Sequence, residues 1–205
     1  MARMLYQGHG SYRFTLRNGR VIYVDPFAGE GYDRPADFIL VTHEHPDHTM
    51  LDRVPKADDC LILRARDFQP IAGAYQTFSR RGVSMRAVPA CNDNHPVEEC
   101  VGVVLEFDGV KFYASGDTST TDFMRNGLLA KMNLDYAALP GDGFYNMGPA
   151  EASECARLIG ARHTIPVHLV PVHDVNDAVI FDRSTAEQFD VEGRIILEPG
   201  QELDL

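Results

Sequence analysis

The chain has 205 residues, a formal net charge of −11 and an apolar fraction of 44%. This length fits one domain, placed at residues 1–205, and the composition excludes a disordered or fibrous chain. The acidity disfavours a nucleic-acid or anionic-membrane partner, because phosphates are neutralised by Lys and Arg. No apolar run has the length of a signal peptide or membrane span, and the four cysteines form no CxxC pair. We therefore expect a cytoplasmic protein with reduced thiols.

Strand patterns dominate the first half of the chain. Residues 4–16 and 20–24 flank Asn18-Gly19, a dipeptide that favours a type I′ hairpin turn. Residues 37–42 form an apolar run typical of a strand buried on both faces. The other strands predicted in this half are residues 60–64, 83–89, 101–107 and 110–115, the last two flanking a second hairpin signal at Asp108-Gly109.

The second half alternates strand and helix patterns. Helices are predicted over residues 121–132 and 149–159, and the second of these begins with Pro and stops at a Gly. Strands are predicted over residues 134–139, 163–168 and 194–198. The mixture fits two mixed sheets packed face to face with helices outside, although periodicity alone does not choose this arrangement over other α/β or α+β folds.

The most informative segment follows the buried strand at residues 37–42. It reads HEHPDH and contains His43, His45, Asp47 and His48. The first two histidines are spaced to share one cation, and the last two residues, which follow a turn at the proline, are placed to face a second. Imidazole and carboxylate ligands together suit Zn²⁺ and similar divalent metals.

Three further candidate ligands stand beside later strands. His95 lies in a polar loop before a predicted strand, Asp117 directly follows the next strand, and His168 ends a third. Strand ends that enter loops are common positions for functional sites. Two metal ions need more ligands than the HEHPDH loop offers, and these residues are the candidates.

This order of motifs resembles the metallo-β-lactamase superfamily, in which an early Asp and H-x-H-x-D-H precede a lone His, a lone Asp and a lone His. Within the superfamily the chain is similar to the branch of ascorbate-phosphate lactonase-like proteins. The segments that carry the branch resemblance are GHGS at 8–11, YASGDT at 113–118, LPGD at 139–142, NMGP at 146–149 and IPVH at 165–168. The resemblance implies a mixed α/β fold, the four-layer αββα sandwich, with a dinuclear metal site at one edge.

The resemblance also assigns roles to the candidate ligands. It places His43, His45 and His95 on a first metal ion, places Asp47, His48 and His168 on a second, and makes Asp117 the bridge. Many members carry the third-motif histidine in a Gly-His-Thr turn, whereas here it stands between Asn94 and Pro96. Zn²⁺ is the expected metal, and Mn²⁺, Fe²⁺ and Ni²⁺ are alternatives.

A dinuclear site predicts hydrolytic chemistry. Two divalent ions about 3.5–4 Å apart share a water and lower its pKa towards neutrality, which supplies a metal-bridged hydroxide as nucleophile. Asp47 and Asp117 are the predicted catalytic residues, and Asp47 is placed to accept a proton from that water. The expected substrate is a small metabolite, anionic ones included, with a lactone, ester, thioester, amide or phosphodiester bond.

Two other functions remain open within the same fold. One is an iron-dependent oxidoreductase, since related ligand sets bind iron. The other is a nucleic-acid-processing nuclease, which is disfavoured because the chain is acidic and has no basic path for a phosphate backbone. A small-molecule partner fits better, and the sequence does not predict whether the chain forms homo-oligomers.

Five more residues are candidates for the surroundings of the metals or for contact with substrate. Asp25 either accepts the free N–H of a ligating imidazole or belongs to a turn. His9, expected early on a strand, is a contact of the site or a structural residue. Tyr145 and Asn146 are candidate substrate contacts, and His173 either lines the pocket mouth or lies exposed in a loop.

Overall fold

The computed structural model describes residues 1–205, which form twelve strands, four short α-helices and three 3-10 turns. In chain order the strands are β1 (Arg3–Gly8), β2 (Ser11–Thr15), β3 (Val21–Val24), β4 (Ala36–Val41), β5 (Lys56–Arg64), β6 (Thr77–Arg80), β7 (Val83–Pro89), β8 (Val101–Phe107), β9 (Val110–Ala114), β10 (Tyr136–Pro140), β11 (His163–Val167) and β12 (Glu202–Asp204). The helices are α1 (Ala65–Phe68), α2 (Asp122–Arg125), α3 (Pro149–Ile159) and α4 (Arg183–Ala186). The 3-10 turns are Pro46–His48, Leu51–Arg53 and Ala130–Met132.

The strands form two six-stranded mixed sheets, ordered β12-β1-β2-β3-β4-β5 and β11-β10-β9-β8-β7-β6. In the first sheet the β1–β2 and β2–β3 pairs are antiparallel, whereas β3–β4 and β4–β5 are parallel. In the second sheet the β6 to β9 pairs are antiparallel, whereas β9–β10 and β10–β11 are parallel. Each sheet therefore has a parallel half, and the parallel strands end at a common edge.

The largest hydrophobic core lies between the two sheets. It contains 26 buried residues, among them Phe14 and Phe38 from the first sheet and Leu105 and Phe112 from the second. A second cluster of 16 residues packs α2 and α3 against the outer face of the second sheet. A smaller cluster covers the outer face of the first sheet, so the chain forms the layered sandwich expected from its sequence.

Several predicted elements have other bounds in the structure. Residues 4–16 do not form one strand, because the chain turns at residues 9–10 between β1 and β2. His9 therefore lies in this turn, at φ 50°, and not on a strand as predicted. Residues 194–198 form no strand, and only a single bridge joins Arg194 to Thr164. Strands β6 and β12 were not predicted.

Helix and turn predictions were partly wrong. The helix expected over 121–132 is interrupted, because only α2 and the later 3-10 turn are helical there. The turn after β2 is not type I′, since Gly19 has a positive φ and Asn18 does not. The turn after β8 does have positive φ at both Asp108 and Gly109, and α3 has the predicted bounds.

Candidate metal centre

The candidate site lies at the edge where the parallel strands of both sheets end. Asp25 follows β3, His43 comes two residues after β4, and Asp117 lies three residues after β9. Asp142 comes two residues after β10, and His168 directly follows β11. The carboxyl ends of parallel strands meet at one side of a sheet, and the face-to-face packing of the two sheets joins their ends into a single site.

One set of metal-binding side chains, here named the first group, consists of His43, His45 and His95. One ring nitrogen of each lies within 4.8 Å of those of the other two. Nδ1 of His45 and Nε2 of His95 are 3.2 Å apart. His43 and His95 are buried, whereas His45 is exposed to solvent. The first group thus forms a three-imidazole site with one side open.

A second set, here named the second group, consists of His9, Asp47, His48 and His168. Their donor atoms also lie within 4.8 Å of one another. Nε2 of His9 lies 3.1 Å from Oδ2 of Asp47, and Nε2 of His48 and of His168 lie 3.9 and 4.0 Å from the same oxygen. All three histidines are buried, so the second group lies deeper in the protein than the first.

Asp117 lies between the two groups. Its Oδ2 is 3.4 Å from Nε2 of His95 and 3.2 Å from Nε2 of His168. Its Oδ1 is 3.5 Å from Nε2 of His48. A carboxylate that contacts donors from both sets is positioned to bridge two ions.

Six buried imidazole nitrogens at this centre have no hydrogen-bond partner, and three of them are Nε2 atoms that face the donor groups. These three are the Nε2 atoms of His43, His48 and His168. A buried polar atom without a partner is costly, and native proteins rarely leave one unexplained. Each of these nitrogens faces other metal-type donors, so a bound divalent cation fits the residues that are present.

The first-group imidazoles contact neutral partners through Nδ1. Nδ1 of His43 lies 3.1 Å from the hydroxyl of Thr42, which itself donates to Asp25 at 2.7 Å. Nδ1 of His95 lies 2.8 Å from the amide oxygen of Asn92. An Nδ1 that donates its proton to such an oxygen leaves the Nε2 lone pair free for a metal.

The second-group imidazoles contact carboxylates instead. Nδ1 of His48 lies 3.1 Å from Oδ2 of Asp25, and Nδ1 of His168 lies 2.9 Å from Oδ2 of Asp142. Carboxylates behind metal-binding imidazoles orient the ring and increase its basicity. Asp25 therefore occupies the position expected for an acceptor behind a ligating histidine.

Asp142 also organises the loop that follows β10. Its Oδ1 accepts the backbone N–H groups of Phe144 and Tyr145, each at 2.7 Å. Its Oδ2 accepts from the amide of Asn146 at 2.9 Å, and the same amide donates to Oδ2 of Asp117 at 2.9 Å. One carboxylate thus joins the loop to both His168 and the central aspartate.

The electrostatics of the metal-free protein differ between the groups. Burial lowers the pKa values of His43 and His95 below the ordinary value. Burial acts in the same direction on His168, but the charges of Asp117 and Asp142 outweigh it and raise the pKa of His168 to about 10. His168 therefore binds a proton where a metal would bind, whereas burial favours the neutral form of His43, His95 and also of His9, whose pKa is lowered to about 4.

A cavity of about 420 Å³ opens beside the first group. It is lined by all three first-group histidines and, around them, by the charged side chains Glu44, Arg66, Glu98 and Glu99. None of the second-group side chains lines it. The open side of the centre is therefore the side of the first group.

The structure brings together the seven predicted metal ligands and, with them, Asp25, His9 and Asn146. Tyr145 and His173 lie nearer the surface, where the Tyr145 hydroxyl is 2.7 Å from Nδ1 of His173. His173 is exposed in its loop. These last two residues contact each other, and none of their hydrogen bonds reaches the donor groups.

Sequence reasoning missed three residues of this centre, Thr42, Asn92 and Asp142. Asp142 carried a usable signal, because it follows a strand end just as Asp117 does. Thr42 directly precedes the first metal-binding histidine, and Asn92 lies three residues before His95. A search for hydrogen-bonding residues next to each predicted ligand finds both of them.

Comparison with known proteins places this geometry in a family. Residues 3–168 match the beta-lactamase superfamily domain, so the chain belongs to that superfamily. The UPF0173 metal-dependent hydrolase of Thermococcus kodakarensis is 28% identical over 231 residues and aligns over 100% of both chains. The family is thus one of metal-dependent hydrolases, as the motif order indicates.

Solved structures confirm the fold. A metal-dependent hydrolase from Parabacteroides distasonis superposes with a TM-score of 0.72 at 25% identity, over 93% of this chain and 90% of that chain. CmlA, a diiron beta-hydroxylase from Streptomyces venezuelae, has a TM-score of 0.71 at 15% identity, over 100% of this chain and 54% of that chain. None of the helices in the present structure combines the length and apolarity needed to cross a membrane.

Proposed function

We propose that the protein is a dinuclear metal-dependent hydrolase of a small-molecule substrate. The observation that carries this proposal is the arrangement of the first and second groups on opposite sides of Asp117. The two groups supply separate sets of donors, and Asp117 contacts members of both at 3.2–3.5 Å. One ion cannot be reached by all of these donors, whereas two ions account for every one.

The charge of the centre supports the same number of ions. Four carboxylates lie within it, those of Asp25, Asp47, Asp117 and Asp142, and the side-chain exposure of each is 18% or less. Buried charges require compensation by opposite charge or metal. Two divalent cations balance four carboxylates, and the imidazole donors then stay neutral, as metal ligation requires.

The mixed imidazole and carboxylate donor set is the one that Zn²⁺ prefers, with Mn²⁺, Fe²⁺ and Ni²⁺ as alternatives. Two such ions lower the pKa of a shared water to near neutrality and polarise the bond to be cleaved. Asp117 holds the two halves of the centre together. Asp47 is the least buried of the four carboxylates and accepts a proton during hydrolysis.

The cavity beside the first group supports a small substrate. Its volume of about 420 Å³ lies in the range of small-molecule sites. We propose a lactone, ester, thioester, amide or phosphodiester, in keeping with the lactonase-like resemblance of the sequence. No basic groove leads to the centre, and Glu98 and Glu99 at its mouth disfavour a nucleic-acid backbone.

The test combines metal analysis with an activity screen. Protein purified without chelator is expected to hold close to two divalent ions per chain and to hydrolyse a member of a panel of those five bond types after reconstitution with Zn²⁺ or Mn²⁺. A metal content well below one ion per chain contradicts the dinuclear proposal. Bound iron together with oxygen-dependent turnover contradicts a hydrolase and indicates an oxidoreductase.

A further inference from the structure

We propose that His9 is a direct ligand of the second metal ion, so that this ion has five protein ligands, namely His9, Asp47, His48, His168 and the bridging Asp117, whereas the first ion has four. This inference rests on the proposed dinuclear function. It adds an eighth protein ligand to the seven assigned from the sequence, and it gives the two ions different numbers of protein ligands.

The position of the His9 ring supports ligation. Its donor atom belongs to the same cluster as those of Asp47, His48 and His168, all within 4.8 Å of one another. Donors about 2.0–2.2 Å from one ion lie up to about 4.4 Å apart. The separations from Oδ2 of Asp47, 3.1 Å to His9, 3.9 Å to His48 and 4.0 Å to His168, lie within that range.

The backbone holds His9 in this place at some cost. Its φ of 50° lies in the left-handed region, which a histidine adopts only rarely. Three hydrogen bonds fix the residue: its N–H donates to Ile180 at 2.8 Å, and its carbonyl accepts from the N–H of His168 at 2.8 Å and from the hydroxyl of Tyr6 at 3.0 Å. Strain of this kind persists where the surroundings over-determine it, commonly at functional sites.

The residue after His9, Gly10, also lies close to the second group. A Cβ at Gly10 would lie 2.9 Å from Cε1 of His48, so the turn approaches the second group as closely as glycine allows. The ring centroids of His9 and His168 are 3.6 Å apart. The turn between β1 and β2 thus acts as a cap on the second group.

The two groups differ in their exposure to solvent and to the cavity. The side chains of His9, His48 and His168 are 0%, 1% and 2% exposed, and no second-group residue lines the cavity beside the first group. A metal ion with fewer protein ligands keeps more positions for water or substrate. The first ion, held by three imidazoles and Asp117, is the one that the cavity exposes.

The competing role for His9 is a hydrogen bond to Asp47 without metal contact. The two roles differ at a single atom, because Nε2 carries a lone pair to the metal in one and a proton in the other. Long-range ¹H–¹⁵N spectra of protein labelled with ¹⁵N-histidine and loaded with Zn²⁺ separate a coordinated nitrogen from a protonated one. The His9 signals are assigned by their absence in His9→Asn or by the contact of the ring with Phe27, whose centroid lies 5.4 Å away.

A coordinated Nε2 in the zinc-loaded protein is the expected result, and a protonated Nε2 overturns the inference. His9→Asn is the variant of choice, because Asn tolerates the left-handed backbone better than most residues. It is expected to weaken the binding of one ion by at least about tenfold in a chelator competition and to leave the other unchanged. Equal weakening of both ions, or no weakening, counts against the inference.

The matched control is His163→Asn, since His163 lies on β11 outside both groups. It is expected to bind both ions as the wild type does. Failure of the inference is distinguishable from failure of the proposed function. A wild-type protein that binds fewer than two ions contradicts the function, whereas two bound ions with a protonated His9 Nε2 contradict only the role of His9.

Discussion

The two donor groups on either side of Asp117 use similar ligands in different surroundings. The imidazoles of the first group contact the neutral side chains of Thr42 and Asn92. Those of the second group contact the carboxylates of Asp25 and Asp142. The first group borders a cavity, whereas the second is buried beneath the turn between β1 and β2.

The difference shows that one edge of the fold carries two sets of metal-type side chains with different electrostatic surroundings. Burial keeps the pKa values of His43 and His95 low, so the first group accepts a cation without losing a proton. Burial opposes protonation of His48 as well, but the charges of Asp117 and Asp25 raise its pKa above the ordinary value. The second group is buried beside carboxylates that offset positive charge, whereas the first group is open to the cavity.

The largest effect is expected from the removal of Asp117, which contacts both groups. Asp117→Ala is expected to lower metal content below two ions per chain and to reduce hydrolysis by about 1,000-fold or more, since joint activation of water is lost. Metal analysis and turnover measure both effects. Asp122→Ala is the control, because that aspartate is 89% exposed on α2. Turnover retained in Asp117→Ala removes the residue from the site.

Substitution of a residue that contacts the Nδ1 of one ligating histidine is expected to act mainly on one of the two ions. Asp142→Asn is expected to weaken binding of the second ion by about 10- to 100-fold, because His168 loses a charged acceptor. Asn92→Ala is expected to weaken the first ion by less, since only a neutral acceptor is lost. Competition with a chelator measures both constants. Equal effects on the two ions contradict the assignment of partners to groups.

The groups are also expected to respond differently to pH. In the metal-free protein His168 has a pKa of about 10, so at neutral pH a proton must leave before the second ion binds. The apparent affinity of the second ion therefore rises with pH, by about tenfold per unit for one displaced proton, from neutral pH up to about pH 10. His43 and His95 add no such rise to the affinity of the first ion, because burial lowers their pKa values. Calorimetry in buffers of different ionisation enthalpy counts the protons released.

The smallest effect is expected at the cavity beside the first group, and it tests whether substrate enters there. Glu98→Trp places a large side chain at the mouth of the cavity. It is expected to raise KM several-fold for the substrate found by screening, with kcat and the content of both ions little changed, because an indole obstructs access without touching a ligand. Phe144→Ser, on the loop after β10, serves as a control away from this cavity. A KM unchanged in Glu98→Trp indicates that substrate approaches from elsewhere.

Much of the site was predictable because its ligands stand next to strong strand signals. The run at 37–42 corresponds to β4 within one residue at each end, and the ligands that follow it lie as a group at its end. The residues around the ligands were less predictable. Asp142 contacts His168, which is far away in the chain, so that pair leaves no local pattern, whereas Asn92 lies only three residues before His95, the histidine that it contacts.

His9 shows the same limit most clearly. Its sequence context, a histidine between glycines, indicates close backbone approach but not the partner that is approached. The structure supplies that partner by folding β1 back on β2, which brings the turn onto the residue after β11. The strand predicted through residues 4–16 was wrong for the same reason, since a tight turn interrupts a strand pattern at only two residues.

By itself the sequence determined the donor set, its order and the strand ends that carry it, because ligand chemistry and strand periodicity are local properties. Only the tertiary structure decided which imidazoles contact carboxylates, that His9 lies with the second group and which side of the centre is open. Those relations depend on the packing of two sheets that bring residues 9, 48 and 168 into contact. Burial and charge then act on neighbours in space rather than in sequence, and they give the two halves of one centre their different properties.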